Sequence, residues 1–148
     1  MPLYFEDFLV GQVFEQGGYT IGKDDAVAFA REYDPQYFHT DEQAAKASLF
    51  GRLVVSGWQT AAISMRLKAM SGMGQAAGGL IGLGLEKVKW PKAVIPGDTL
   101  RVRIEVTEVR PSASKPEYGV VSYRMDTFNQ DDALVMTALT SVLVARKG

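Results

Sequence analysis

The stretch from Val54 to Met70, Val-Val-Ser-Gly-Trp-Gln-Thr-Ala-Ala-Ile-Ser-Met-Arg-Leu-Lys-Ala-Met, constrains the fold more than any other. It carries no charge before Arg66 and has small residues at Gly57, Ala61, Ala62 and Ser64. A helix apolar on nearly all sides is buried and needs cover on several faces. Ser56 suits the N-cap, so the amides of Gly57 and Trp58 point out of the helix start with the positive end of the dipole behind them. Strands follow. Leu80 to Trp90 reads as one, with a bulge among Gly82 and Gly84, and Thr99 to Val109 alternates apolar and polar residues as a half-buried antiparallel strand does. Tyr118 to Asn129 and Leu134 to Ala145 are two more, around a Gln130-Asp131-Asp132 turn. Residues 12–22 supply an early strand with a weak spot at Gly17-Gly18. This order predicts an α+β layer in which a curved antiparallel sheet wraps the central helix.

Between the first strand and that helix lies shorter punctuation. Asp24 or Asp25 can cap a short helix containing Val27, Phe29 and Ala30, and Pro35 ends it at Tyr33 or Asp34, with a turn through Gln36. Thr40 to Ala47 reads as a second short helix capped by Thr40 or Asp41, with Gln43 completing a capping-box pattern. Ser71 to Gly79 is glycine-rich and reads as a flexible connector. Its glycines follow a helix and precede a strand, the wrong order for a phosphate-binding loop.

The length of 148 residues suits one domain, 1–148, and 47% hydrophobic with 22% charged residues is ordinary for a globular chain. A formal net charge of −1 gives no general electrostatic reason to bind nucleic acid or an anionic membrane. The absence of cysteine excludes disulfides, thiolate catalysis and cysteine-ligated metals, and one histidine excludes a multi-histidine metal site within one chain. No metal is expected. The N-terminus lacks a basic region followed by an apolar core, and no stretch reaches the roughly 20 apolar residues of a membrane span. The cytoplasm is the expected compartment.

The chemistry gathers between Tyr33 and Trp58. The single histidine, His39, follows Asp34 by five residues across the Pro35 turn, which lets the two converge. A carboxylate beside an imidazole can hold a water and exchange protons near neutral pH. An Asp before a Pro is equally a common turn starter, and a histidine among Tyr37, Phe38 and Thr40 can be a half-buried packing residue. The Ser56-Gly57 step adds a possible site for a carbonyl oxygen that gains negative charge, with Gly57 allowing close approach of a ligand to the backbone. It also suits a plain helix cap. Met65, Met70 and Met73 can line an acyl pocket or fill a core.

Four ordered pieces together resemble the MaoC-like hot-dog proteins, which include (R)-specific enoyl-CoA hydratases and related dehydratases. They are Tyr4-Phe5-Glu6-Asp7-Phe8 with Val10-Gly11, Tyr33-Asp34-Pro35 through His39, Val55-Ser56-Gly57, and Trp90-Pro91 with Val94 followed by Pro96-Gly97-Asp98-Thr99-Leu100. This chain departs from the family's usual wording in having Tyr33 before the aspartate, proline at position 35, Ser56 where a histidine often stands, and Trp90 in place of phenylalanine. The resemblance implies a hot-dog fold and hydration of trans-2-enoyl thioesters of coenzyme A. Asp34 and His39 are then catalytic and the Gly57 amide holds the thioester oxygen; Ser56, Trp58, Tyr37, Phe38, Phe50 and Met65 are the expected substrate contacts, of which the aromatic residues and Met65 can equally be core. It implies no cofactor beyond the coenzyme A of the substrate, and a homodimer or higher homo-oligomer with the acyl pocket near the subunit interface. A hot-dog thioesterase and a non-catalytic acyl-thioester binding protein are the alternatives.

Overall fold

The computed structural model describes residues 1–148. Strand β1 (Val13–Thr20) leads into helix α1 (Lys23–Tyr33), two single-turn helices α2 (Tyr37–Thr40) and α3 (Glu42–Ala45), and the long helix α4 (Gly57–Met70). Strands β2 (Ile81–Lys89), β3 (Thr99–Pro111), β4 (Tyr118–Phe128) and β5 (Leu134–Ala145) complete one antiparallel sheet in the order β1-β3-β4-β5-β2. The sheet curls around α4, which is the hot-dog architecture the sequence predicted.

Strand periodicity builds the core. Leu100, Val102, Ile104 and Val106 of β3 point inward and are buried, while Arg101, Arg103 and Glu105 point outward. Val121, Tyr123 and Met125 of β4 and Val142 of β5 join the same inner face. On the outer face Arg103 pairs with Glu105 at 3.0 Å and Arg124 with Asp126 at 3.2 Å. The weak spot in β1 is a bulge, with the β1–β3 register shifting between Gly17 and Tyr19, and the expected bulge in β2 falls between Gly82 and Gly84.

Several local expectations need correction. Gly22, not an aspartate, is the N-cap of α1, and Asp24 and Asp25 sit in its first turn, where they complement the dipole. The second short helix, expected over Thr40 to Ala47, is the single turn Glu42–Ala45, and Asp41 caps it as expected, its carboxylate accepting from the Ala44 amide at 3.0 Å; a further helical turn, Tyr37–Thr40, precedes it and is separated from it by the extended backbone of Asp41 (φ −129°). Of the two caps expected, Asp41 holds the position, whereas Thr40 ends α2 and its hydroxyl bonds back to the Gln36 carbonyl at 3.1 Å. The glycine-rich connector is a packed element. Gly72–Gln75 forms a 3₁₀ turn capped by Ser71, Met73 is fully buried, and the backbone of Leu3 bonds to both Gln75 and Ala77.

Helix α4 is less uniformly buried than its composition implies. Gln59, Thr60, Ile63, Ser64, Leu67 and Lys68 face the sheet, whereas Trp58, Ala62, Met65 and Ala69 form an open stripe along the other side. Polar side chains fix its register on the sheet: the hydroxyls of Ser64 and Thr127 meet at 2.6 Å, and Lys68 Nζ donates to Tyr123 Oη at 2.7 Å. Lys68 is only 4% exposed and has no carboxylate partner. Burial pulls its ammonium below the usual lysine range and pushes the Tyr123 hydroxyl up to about 12, against the opposing hydrogen bond from Thr140.

A lysine that titrates lower when folded costs stability once pH falls below its unfolded value of about 10.4, since the unfolded chain then binds the proton more tightly. Lys68→Met is therefore expected to raise the thermal midpoint by a few degrees at pH 7, followed by circular dichroism, with a smaller gain near pH 11. A lower midpoint at pH 7 would mean that the Tyr123 contact outweighs the cost of desolvation.

Candidate active site

Three backbone segments meet at the start of α4. Helix α1 ends at Asp34, whose N–H still bonds to the Ala30 carbonyl, and Pro35 turns the chain so that α2 begins at Tyr37 with His39 inside it. The segment from Leu53 to Ser56 then passes beside α2. Val54 braces it at two points: its N–H donates to the Phe38 carbonyl at 3.0 Å, and its carbonyl accepts from His39 Nδ1 at 2.7 Å. The neighbouring Val55 N–H bonds to the Val94 carbonyl at 2.8 Å, tying in the loop before β3.

The two candidate catalytic side chains are brought together. His39 Nε2 lies 3.2 Å from Asp34 Oδ2, with the imidazole 6% exposed. A carbonyl oxygen only accepts, so the proton on Nδ1 faces Val54 and Nε2 is the nitrogen turned to the carboxylate. Asp34 Oδ2 also accepts from the Ser56 hydroxyl at 2.7 Å, and Oδ1 from Gln36 Nε2 at 2.7 Å. Burial would raise the Asp34 carboxyl, but the hydrogen bonds from Gln36 and Ser56 and the nearby His39 together hold it below the usual carboxylate range. Asp34 is thus an oriented carboxylate at neutral pH. Its contact with Nε2 is attractive when that nitrogen carries a proton, so the pair can keep a proton between its members and pass it to a ligand.

The start of α4 completes the site. Ser56 Oγ accepts from the Trp58 amide at 3.2 Å as the N-cap, which leaves the Gly57 N–H as the first-turn donor with no acceptor in the chain. The expectation that both amides are free therefore holds for Gly57 and fails for Trp58. The absent side chain of Gly57 also has a different cause from close ligand approach. A Cβ there would lie 2.7 Å from Trp90 Cε2, and Trp90 Nε1 donates to the Gly57 carbonyl at 3.0 Å. Glycine is required because the Trp90 indole packs flat against the first turn of α4.

A cavity of about 270 Å³ opens on this pair. Asp34, His39, Gly57, Trp58, Phe38 and Phe50 line it, as do Trp90, Val94 and Thr60, with Lys92 as its one cation. Phe38 packs edge-on to His39 at 4.6 Å and against Phe50 at 5.3 Å, so the wall facing the imidazole is aromatic. Of the other residues expected at the substrate, Ser56 is fully buried behind Asp34 with its hydroxyl already engaged, and Tyr37 and Met65 lie outside the cavity. Tyr37 packs on the far side of Phe38, and Met65 belongs to the open stripe of α4. Gln36, Val54, Trp90 and Lys92 escaped the sequence reading as site residues. Trp90 alone had a signal there, in its departure from phenylalanine. No group of three or more His, Cys, Asp or Glu side chains converges anywhere to suggest a metal cage, and no helix is long and apolar enough to cross a membrane.

The family model of the MaoC-like domain matches residues 7–128. The chain belongs to the MaoC-like domain family. The crystal structure of the MaoC-like dehydratase from Rhodospirillum rubrum superposes with a TM-score of 0.92 at 43% identity, covering 99% of each chain. The uncharacterized protein YdeM of Bacillus subtilis is 34% identical over 141 residues, 95% of this chain and 98% of its own length. The (R)-hydratase from A. caviae involved in PHA biosynthesis superposes with a TM-score of 0.75 at 26% identity, over 93% of this chain and 97% of that one.

The Gly57–Trp90 contact makes a prediction independent of any reaction. Gly57→Ala should displace the indole, shift the tryptophan fluorescence and cost about 1–3 kcal/mol, as overpacking does. In the Trp90→Ala background the same substitution should cost far less. Equal costs in both backgrounds, measured by urea denaturation, would show that the two residues are not coupled.

Proposed function

We propose that this MaoC-like protein catalyses reversible addition of water to a trans-2-enoyl thioester of coenzyme A, giving the 3-hydroxyacyl thioester, and that it works as a homodimer. The observation that carries the reading is the Asp34–His39 pair at 3.2 Å, oriented on both sides and facing an apolar cavity that also receives a free backbone amide. A water held between Asp34 and His39 attacks C3 of the enoyl group as the pair accepts its proton. A proton is then delivered to C2. Negative charge that builds on the thioester oxygen is stabilised by the Gly57 N–H, backed by the dipole of α4. Ser56 and Gln36 act on the carboxylate, keeping Asp34 ionised and aimed, while Val54 holds the His39 tautomer.

The dimer is supported by the apolar surface that one chain leaves open. Trp58 is 57% and Met65 47% exposed on α4, and the edge strand β2 exposes Leu83 and Leu85. An apolar helix stripe and an unpaired strand edge on one chain suit a self-complementary contact with a second copy. Trp58 belongs to both the stripe and the cavity, so the second subunit would border the acyl site.

Loss of the enoyl-thioester absorbance with crotonyl-CoA and longer or branched enoyl-CoAs tests the chemistry. Wild type should hydrate at least one, and Asp34→Asn and His39→Ala should each lower kcat about 10²–10⁴-fold. Release of free thiol without hydration would favour a thioesterase. Tight binding without turnover, insensitive to both substitutions, would favour a binding protein.

The assembly is checked separately by sedimentation velocity. Wild type should run as a dimer or larger species, and Met65→Glu, which places a charge in the stripe, should shift it toward monomer. A wild-type monomer at micromolar concentration would remove the dimer from the reading.

A further inference from the structure

We propose that the groove flanked by α1 and α3 binds the nucleotide phosphates of the coenzyme A carrier; this rests on the enoyl-thioester reading above and assigns the part of the substrate remote from the chemistry. The groove measures about 790 Å³, and Lys23, Lys46 and Arg52 line it with Glu42 as the one carboxylate. Glu42 is held by Lys23, Nζ to Oε2 2.8 Å, whereas Lys46 and Arg52 form no ion pair and Lys46 Nζ reaches only the Gln43 amide oxygen at 3.2 Å. Two positive charges therefore stand in excess inside one concavity on a chain whose net charge is −1. Their proximity is electrostatically visible at Glu42, which lies below the usual carboxylate range through its hydrogen bond with Lys23 and the charges of Lys23, Lys46 and Arg52, against the opposing effect of desolvation.

The groove and the catalytic cavity are lined by neighbouring residues of the same two chain segments. Phe50 and Val54 face the cavity, and Gly51, Arg52 and Leu53 between them face the groove. Val94 likewise faces the cavity, and Pro96 and Gly97 the groove. The separation suits the arm that joins a thioester to its phosphates. Helix α1 runs from Lys23 at the groove to Tyr33 beside Asp34, and its 11 residues span about 15 Å. A pantetheine arm has the backbone length of roughly four extended residues, also about 15 Å. Carrier phosphates with a thioester at Asp34 and His39 thus fall within reach of the basic groove. Its volume lies in the range of small-ligand sites, and concave walls favour a nucleotide over the broad surface through which a carrier protein would dock. Guanidinium and ammonium groups supply the charge-assisted hydrogen bonds that phosphate oxygens take.

The test pairs kinetics with direct binding. Steady-state rates are measured on crotonyl-CoA and on crotonyl-pantetheine, which lacks every phosphate, for wild type and the Lys46→Gln/Arg52→Gln double variant. Adenosine 3′,5′-bisphosphate is titrated calorimetrically into the same two proteins at low and high salt. The double variant should raise KM for crotonyl-CoA about tenfold relative to crotonyl-pantetheine, weaken the bisphosphate about tenfold, and lose most of the salt dependence of binding. The inference is overturned if wild type does not bind the bisphosphate, if the double variant binds it equally well, or if the KM ratio does not move while both thioesters turn over. If wild type hydrates neither thioester, the hydratase reading fails and the titration alone decides the groove. A double variant impaired only on a crotonyl carrier protein would also overturn it, in favour of a protein-docking surface.

Discussion

The Ser56 hydroxyl is the joint on which the site depends. It donates to Asp34 Oδ2 at 2.7 Å and accepts from the Trp58 amide at 3.2 Å, so one buried atom joins the end of α1 to the start of α4. A serine cap alone would settle where the helix begins. Here the cap is also a ligand of the carboxylate, and the helix start cannot shift without moving Asp34. The Val54 carbonyl does the corresponding work for His39 two residues earlier. Both catalytic candidates are positioned by the same extended segment, 53–56, and that segment is held in turn by Phe38 and Val94. Such over-determination is what a proton-transfer pair requires, since small errors of placement are costly to it.

Much of this was legible before any coordinates. Alternation in Thr99–Val109 gave β3 its inward face, and the Gly82/Gly84 pair marked a real bulge because β2 lacks side chains there to hold a regular register. Pro35 correctly ended α1, and the Ser-Gly step correctly opened α4. Two features escape the sequence for one reason. The packed 3₁₀ segment at Met73 leans on Leu3, and Lys68, to which the sequence attaches no expectation, is buried against Tyr123; both depend on partners distant in sequence, which local propensity does not see. Lys68 is the clearest case. A lysine two residues from a helix end reads as a solvated charge complementing the dipole, yet here the sheet closes over it and Tyr123 takes its ammonium.

The open stripe of α4 and the exposed edge of β2 are the counterpart of that tight packing. Five strands cover one side of a helix and leave the other to water, because the curl of a sheet this small does not close. The covered side of α4 mixes Ile63 and Leu67 with polar Gln59, Thr60, Ser64 and Lys68, while Trp58, Met65 and Met70 stay exposed, so a good part of the helix's apolar surface is left uncovered. The Ser64–Thr127 and Lys68–Tyr123 bridges make sense in that setting. They fix how the helix sits on its own sheet by directional bonds, while the apolar stripe on its other side stays uncovered within one chain.

Gly57 illustrates how a family pattern can conceal its own reason. A glycine at the first position of a buried helix invites the reading that a ligand needs the space, but in this protein the space is taken by an indole from 33 residues away, itself bonded to the Gly57 carbonyl at 3.0 Å. The two backbone groups of that residue therefore serve different ends: the carbonyl is fixed by Trp90, and the amide is left without an acceptor at the cavity wall. Trp90 is also part of that wall, edge-on to Trp58 at 5.4 Å. The apolar boundary of the cavity and the free Gly57 amide are thus mechanically one unit. Tryptophan in place of the family's usual phenylalanine adds the indole N–H that makes this coupling, so under the proposed reaction the acyl wall and the oxyanion donor could not be altered independently at that position.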